Sequence, residues 1–253
     1  RIFWGLVALA SVVLVTVVLL FGRGFLTLGA RWMAGRQIEA GAITAARQWL
    51  EWSAWLDPND GRTDLMLATC LRHLRQLEGY SEALQSAKQK GAPIAQVRQE
   101  FTLGIIQAGK IEEGIEDQLG RLIEAGISSR EVATAYVYGF LARQDPREAK
   151  KVLDAWAVDS PEEPQLSYVK GVYQLWLGES QRAQDEFLDA LARQPRHELA
   201  RTALADLLED QDRLEEALDH YIDLATRFPA SKTAPVGLAR LLRKLGAVDE
   251  AQT

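Results

Sequence analysis

The sequence predicts an all-α fold built from a repeated helix pair, and three observations carry that expectation. Ala149, Ala183, Ala217 and Ala251 fall 34 residues apart. Pro161, Pro195 and Pro229 keep the same step. Beyond the amino-terminal apolar run there is no sustained period-two alternation and no Asn-Gly hairpin turn, so no strand signal competes. Self-similarity at a fixed period of this length marks an array in which one small unit stacks on the next.

The chain of 253 residues is 47% hydrophobic and 25% charged, enough to bury a sizeable core. Its apolar content is uneven. From Ile2 to Phe21 there is no charged residue, and Ser11 and Thr16 are the polar side chains, over a length close to the roughly 20 residues that span a bilayer as helix. A cleaved secretory signal would need a shorter apolar core of about 7–15 residues, and a buried core helix would show a polar face. The sequence therefore predicts a transmembrane anchor over 1–22, with membrane contact through 2–21, a juxtamembrane linker over 23–31 and a single-pass localisation. Trp4 fits an interfacial aromatic. Arg1 on one flank against Arg23, Arg31 and Arg36 on the other would place the rest of the chain in the cytoplasm, but basic residues ahead of Arg1 would reverse this. Anchors with a short basic flank commonly display their domain outside, which tilts the expectation toward an extracytoplasmic, periplasmic array. Soluble secretion with residues 1–30 removed is the rival reading.

Residues 1–36 hold four Arg and no acid, so a net charge of −6 less that +4 leaves −10 on the remainder. An acidic surface repels phosphate backbones, which argues against nucleic acid as a partner. A single cysteine, Cys70, excludes an intramolecular disulfide framework. His73, His197 and His220 are too scattered for a metal cluster or a triad, and Cys70 with His73 supplies two ligands where zinc needs four. No Walker loop, GxGxxG after a strand, HExxH, GxSxG or CxxCH motif occurs. The expectation is a chain that is not an enzyme, with no catalytic residue, no cofactor, no metal and no small-molecule substrate.

Taken in order, the repeats sharpen toward the carboxy terminus. Ala46, Leu50 and Pro58 have the spacing of a second helix, and Leu67, Ala68, Leu71, Ala83 and Ala87 suggest another pair. Between Val97 and Ser129, Leu103-Gly104 and Gly109 through Gly114 read as a degenerate unit with Gly114 in place of the expected Ala. The next unit supplies Ala149, Leu153 and Pro161. The clearest runs from Pro164 to His197, with Gly171, Ala183, Phe187, Ala190 and Pro195. There Gly178 is a left-handed stop for the first helix and Ser180 an N-cap for the second. Gly171 and Ala183 leave no bulk where the helices cross, and Phe187 fills the gap to a neighbouring unit. Ala205, Ala217, Tyr221 and Pro229 repeat the scheme, with Asp212 and Glu215 spaced as a capping box. A final unit begins near Ser231 with Leu238, Ala239 and Ala251 in register. Arg243 and Lys244 sit at a helix end before Gly246, where cations offset the macrodipole. The chain stops inside the second helix of that unit, which reads as a truncation.

These spacings resemble the tetratricopeptide repeat over roughly residues 28–253, specifically from Arg130 onward and loosely before it. The resemblance implies divergent repeats over 32–129, well-matched repeats over 130–253 with the last one truncated, and an α-solenoid whose first helices line a concave groove for proteins or peptides. Groove positions carried over unit by unit are Thr134 and Tyr138, then Tyr168, Val172 and Trp176, then Thr202, Asp206 and Asp210, then Val236, Arg240 and Arg243. Tyr138, Tyr168 and Trp176 lead as anchors because Tyr and Trp bring large area with few rotors; the competing reading is that each is a packing residue between units. The Lys, Asn and Arg set with which related grooves clamp a terminal carboxylate is not visible. The expected function is a membrane-anchored scaffold or adaptor, as an accessory or assembly subunit of a membrane complex. The alternative is the recruitment module of an enzyme whose catalytic domain lies beyond residue 253.

Overall fold

A computed structural model describes residues 24–111 and 115–252, with backbone alone at 115–119 and 247–252. Among the described residues the fold is all-α, thirteen helices without a strand. They are α1 (24–39), α2 (Ile43–Leu56), α3 (Gly61–His73), α4 (Leu77–Gln89), α5 (Ile94–Gln107), α6 (Ile115–Glu124), α7 (Ser129–Ala142), α8 (Pro146–Asp159), α9 (Pro164–Trp176), α10 (Ser180–Arg193), α11 (Glu198–Asp210), α12 (Leu214–Arg227) and α13 (Thr233–Gln252).

Two amino-terminal expectations change. The anchor expected over 1–22 lies outside the described residues, whereas residues 24–31, expected as linker, are helical. The expected single-pass membrane localisation is corrected as well, because no helix of the described residues is long and apolar enough to cross a membrane. Most helices have 13 or 14 residues, about 20 Å against the roughly 30 Å of a bilayer core. The 20-residue α13 carries Arg240, Arg243 and Lys244.

The helices pair through one recurring device. Left-handed backbone occurs at Gly41, Arg75, Gly109, Gln144, Gly178 and Asp212. These positions step by 34 residues, once by 35, and each ends the first helix of a pair. Glycine adopts this conformation freely; a residue with a Cβ does so at roughly 1–2 kcal/mol. The repeat therefore extends through the loosely matched amino-terminal part. It also realigns one unit. Counting five residues on from Arg75 puts the bulky Tyr80, 9% exposed, where Ala149, Ala183 and Ala217 sit in their units, so Ala83 is not their equivalent.

Gly178 is the left-handed stop that the sequence predicts. Three other local expectations fail. Ser180 is the first helical residue of α10, and the N-cap is Glu179 with no side-chain cap bond. Asp212 does not form a capping box: it is itself the left-handed turn residue, and Arg213 precedes α12. Gly246 falls 34 residues after Asp212, yet α13 runs straight through it; an interior glycine costs a helix only about 1 kcal/mol, and no proline follows to force a break.

The chain forms two compact units, Arg1–Ile38 with Ala46–Val97, and Glu39–Ala45 with Arg98–Thr253. In the first, α3 and α4 enclose Leu65, Ala68, Leu71, Ala83, Leu84 and Ala87. A Cβ on Gly61 would lie 2.7 Å from the Ala87 carbonyl oxygen, so this helix start is pressed onto the end of α4. The core of the second unit runs through α7 to α13. Ala149, Ala183 and Ala217 are fully buried. Gly171 meets the Phe187 ring, where an added Cβ would come within 2.4 Å. Phe187 thus fills space inside its own helix pair rather than only reaching a neighbouring unit. Gly237 receives Tyr221 of the preceding pair in the same way, at 2.3 Å.

Candidate functional site

The candidate site is the row of first helices α7, α9, α11 and α13 in the second unit, each of which packs against the next. The turn register explains the row. With 34 residues per pair, every first helix presents equivalent positions in the same direction, so a side chain carried from one helix recurs beside its counterpart on the next.

The aromatic positions divide between packing and exposure. Tyr138 is half-buried, and its hydroxyl lies 3.2 Å from that of Tyr168. Tyr168 is only 8% exposed, with its ring 6.1 Å from Phe187 and 5.1 Å from His197. Its ring belongs to the core, and its hydroxyl is the part directed toward Tyr138. Val172 is partly buried against the same core. Trp176, the last residue of α9, is 43% exposed and stands between exposed Leu175 and Leu177. Thr134, one turn before Tyr138, is buried.

The charged positions pair with one another. Arg240 on α13 binds Glu209 on α11 through Nε, at 2.6 and 2.8 Å to the two carboxylate oxygens, and through Nη2 at 2.5 Å. Nη2 also reaches Asp206 at 3.3 Å and the Tyr221 hydroxyl at 2.9 Å. Tyr221 donates to Asp206 at 2.5 Å, and Lys244 lies 2.8 Å from Glu209. Arg240 holds the Glu209 carboxyl at about 2, and Lys244 adds to the effect. Burial and the Asp206 hydrogen bond push the Tyr221 hydroxyl up. Asp206 and Arg240 therefore face each other across neighbouring first helices, while Asp210 stays exposed at the end of α11. The acidic positions carried over on α11 and the basic one on α13 thus meet in one cross-linked cluster. Tyr221 was the available signal: where Leu153 and Phe187 occupy the equivalent position, a buried phenol has to find polar partners. Nothing in the spacing marks Glu209.

A second feature was not foreseen. Segment Glu39–Ala45 belongs to this unit, and Ala42 and Ile43 are buried. The Glu198 carboxylate, 2% exposed at the start of α11, accepts the Thr44 N–H at 2.9 Å and the Thr44 hydroxyl at 2.6 Å. The Glu198 N–H donates to the Gly41 carbonyl at 3.1 Å. Burial raises the Glu198 carboxyl above its ordinary range, against the opposing pull of the Thr44 bonds. Next to it, buried His197 caps α11 by accepting the Ala200 N–H at Nδ1, 3.2 Å, with Nε2 3.0 Å from Gln165. The start of α11 is thus covered by the chain itself, and the opposite end of the row, with Trp176 and Asp210, is exposed.

Among the described residues no group of three or more His, Cys, Asp or Glu could hold a metal ion. No family model matches the chain, and no curated protein matches it in sequence. Solved structures are similar to it at low identity. One is PilW, described as a widely conserved type IV pilus biogenesis factor: TM-score 0.41, 12% identity, covering 84% of this chain and 98% of that one. Another is TTC0263, a thermophilic TPR protein of Thermus thermophilus: TM-score 0.41, 20% identity, covering 85% and 98%. The APC/C hetero-tetramer Cut9–Hcn1 gives TM-score 0.45 and 15% identity over 87% of this chain and 46% of that one. These likenesses carry no inference about what this chain binds.

Proposed function

We propose that the chain is a protein-binding scaffold whose second unit holds a partner segment along the carboxy-terminal ends of α9 and α11. The observation that carries this reading is Trp176, a large aromatic left 43% exposed between two exposed leucines at the end of α9. Solvating three consecutive apolar side chains is unfavourable, and burying the part of each that is still exposed is worth on the order of 1 kcal/mol per side chain. Tyr138, Tyr168 and Val172 would form the floor of the surface, and Asp206, Asp210 and Arg240 would select polar groups of the partner. Because the Asp206–Arg240 pair is already satisfied internally, Asp210 is the freest of the three to engage a cation.

The test is photocrosslinking in cells with a photoreactive residue placed at Trp176, at Asp210 and, as a control, at the exposed Leu188 on α10. Trapping of the same protein from Trp176 and Asp210 but not from Leu188 is the expected result. Trapping from Leu188 alone would show that the row of first helices is not the binding face.

A further inference from the structure

In three helix pairs a polar bridge joins the helices at positions eleven residues before and eleven after the left-handed turn. Around Arg75, Ser86 donates to Asp64 at 2.6 Å. Around Gly178, Ser167 donates to Asp189 at 2.6 Å, and around Asp212, Arg201 lies 2.7 Å from Asp223. Fifteen residues after each turn, a cation closes on the bridge carboxylate: Lys90 to Asp64 at 2.6 Å, Arg193 to Asp189 at 2.8 Å, Arg227 to Asp223 at 2.6 Å.

The other three pairs lack the bridge, α1–α2 with Ala30, Trp52 and Leu56 and α5–α6 with Arg98, Gly120 and Glu124 at these positions, and in α7–α8 its absence coincides with a cavity. Around Gln144 the three positions hold Ala133, Ala155 and Asp159. The bridging atoms are replaced by methyl groups, and the cation is replaced by an anion. All three residues line a cavity of about 260 Å³, together with Phe140, Val152 and Trp156. Trp156 makes a fixed wall, since it is 5% exposed and its Nε1 donates to Glu163 at 2.9 Å. Of the charged lining residues, Lys151 is engaged with Glu148 at 2.5 Å, and outside the lining Arg130 lies 3.5 Å from Glu163. Asp159 has no ion pair among the described residues, and the last turn of α8 contains no basic residue, so the partial negative charge of the helix end adds to the carboxylate.

We propose that this cavity is a second binding site, which takes an aromatic side chain adjacent to a lysine or arginine on a partner protein. Its volume lies below the roughly 300–1,000 Å³ of sites for drug-sized ligands, which suits one side chain rather than a whole small molecule. The apolar walls accept the ring. Asp159 accepts the neighbouring cation and so reproduces, with a group from the partner, the acid–base closure that three of the sibling pairs make internally. The site is separate from Trp176 and does not depend on that surface being used.

The experiment titrates acetyl-Phe-Lys-amide into the isotope-labelled full chain and follows the amide and indole N–H signals by NMR, with acetyl-Phe-Glu-amide and acetyl-Ala-Lys-amide as comparisons. Saturable shifts centred on Ala133, Ala155 and the Trp156 indole, strongest for Phe-Lys, are expected. Ala155 is exposed at the mouth, so Ala155→Phe should fill the cavity while leaving the helical circular dichroism unchanged, and should weaken binding by roughly tenfold or more. Asp159→Lys at the exposed rim reads out separately and should reverse the preference between Phe-Lys and Phe-Glu. Absence of saturable shifts in the wild-type chain, or an unchanged preference in Asp159→Lys, would overturn the proposal.

Discussion

Gly139 and Gly171 both exclude a methyl group, but against different neighbours. A Cβ at Gly171 would lie 2.4 Å from the Phe187 ring, whereas at Gly139 it would lie 2.1 Å from the carbonyl oxygen of Ile106. A ring can shift within its pair, while a backbone oxygen moves only with its helix. Gly171→Ala is expected to cost about 1–3 kcal/mol in urea unfolding, and Gly139→Ala more. Equal costs would contradict the close approach of α5 to α7. Gly171 was legible from its place seven residues before Gly178; Gly139 was not, because Val137 occupies that place before Gln144. Charge adds a residue-scale prediction of its own. The Glu209 carboxyl at about 2 lies below its ordinary 4.5, so its contribution to stability is full above pH 4.5 and disappears as pH falls toward 2. Arg240→Ala should therefore destabilise at pH 7, by about 1–3 kcal/mol for a buried carboxylate left short of donors, and make little difference near pH 2. A difference that stays constant across that range would mean that Arg240 acts through packing alone. Glu198 works with the opposite sign: its raised carboxyl favours the folded state most at low pH, and that contribution declines as pH rises through its folded value.

At the scale of elements, the helix pairs differ in how their two members are tied. Three have the polar bridge; α7–α8 lacks it, and so do α1–α2, with Ala30 and Trp52 at the bridge positions, and α5–α6, with Arg98 and Gly120. Restoring it with Ala133→Ser, Ala155→Asp and Asp159→Arg should close the cavity and raise the urea midpoint by an amount equivalent to about 0.5–1.5 kcal/mol. A lowered midpoint would show that the α7–α8 spacing is incompatible with the bridge. The bridge itself was invisible to the sequence reading, because Asp64–Ser86, Ser167–Asp189 and Arg201–Asp223 share a relationship rather than a residue type. The same reason explains the capping errors. Asp212 and Glu215 satisfy the letter pattern of a capping box, but the turn geometry required Asp212 at the left-handed position that Gly178 fills in the preceding pair. Small residues at crossings were legible because only their size matters. Turn residues were legible only where they happened to be glycine.

At the scale of the whole chain, the turn recurs every 34 or 35 residues in both units, and within the second it sets both the row that carries Trp176 and the gap that Ala133 and Ala155 leave. The period was readable from alanines and prolines over the carboxy-terminal half. Its continuation through Gly41, Arg75 and Gly109 was readable only loosely, since the small crossing residue there becomes Tyr80 in one unit. The most direct measurement is the sign of φ at the non-glycine turn residues, read by NMR from HN–Hα and Cα–Hα couplings in the labelled full chain. Positive φ at Arg75, Gln144 and Asp212, with helical values continuing through Gly246, is the expected result; helical φ at Gln144 and Asp212 would contradict a repeated turn and the register built on it.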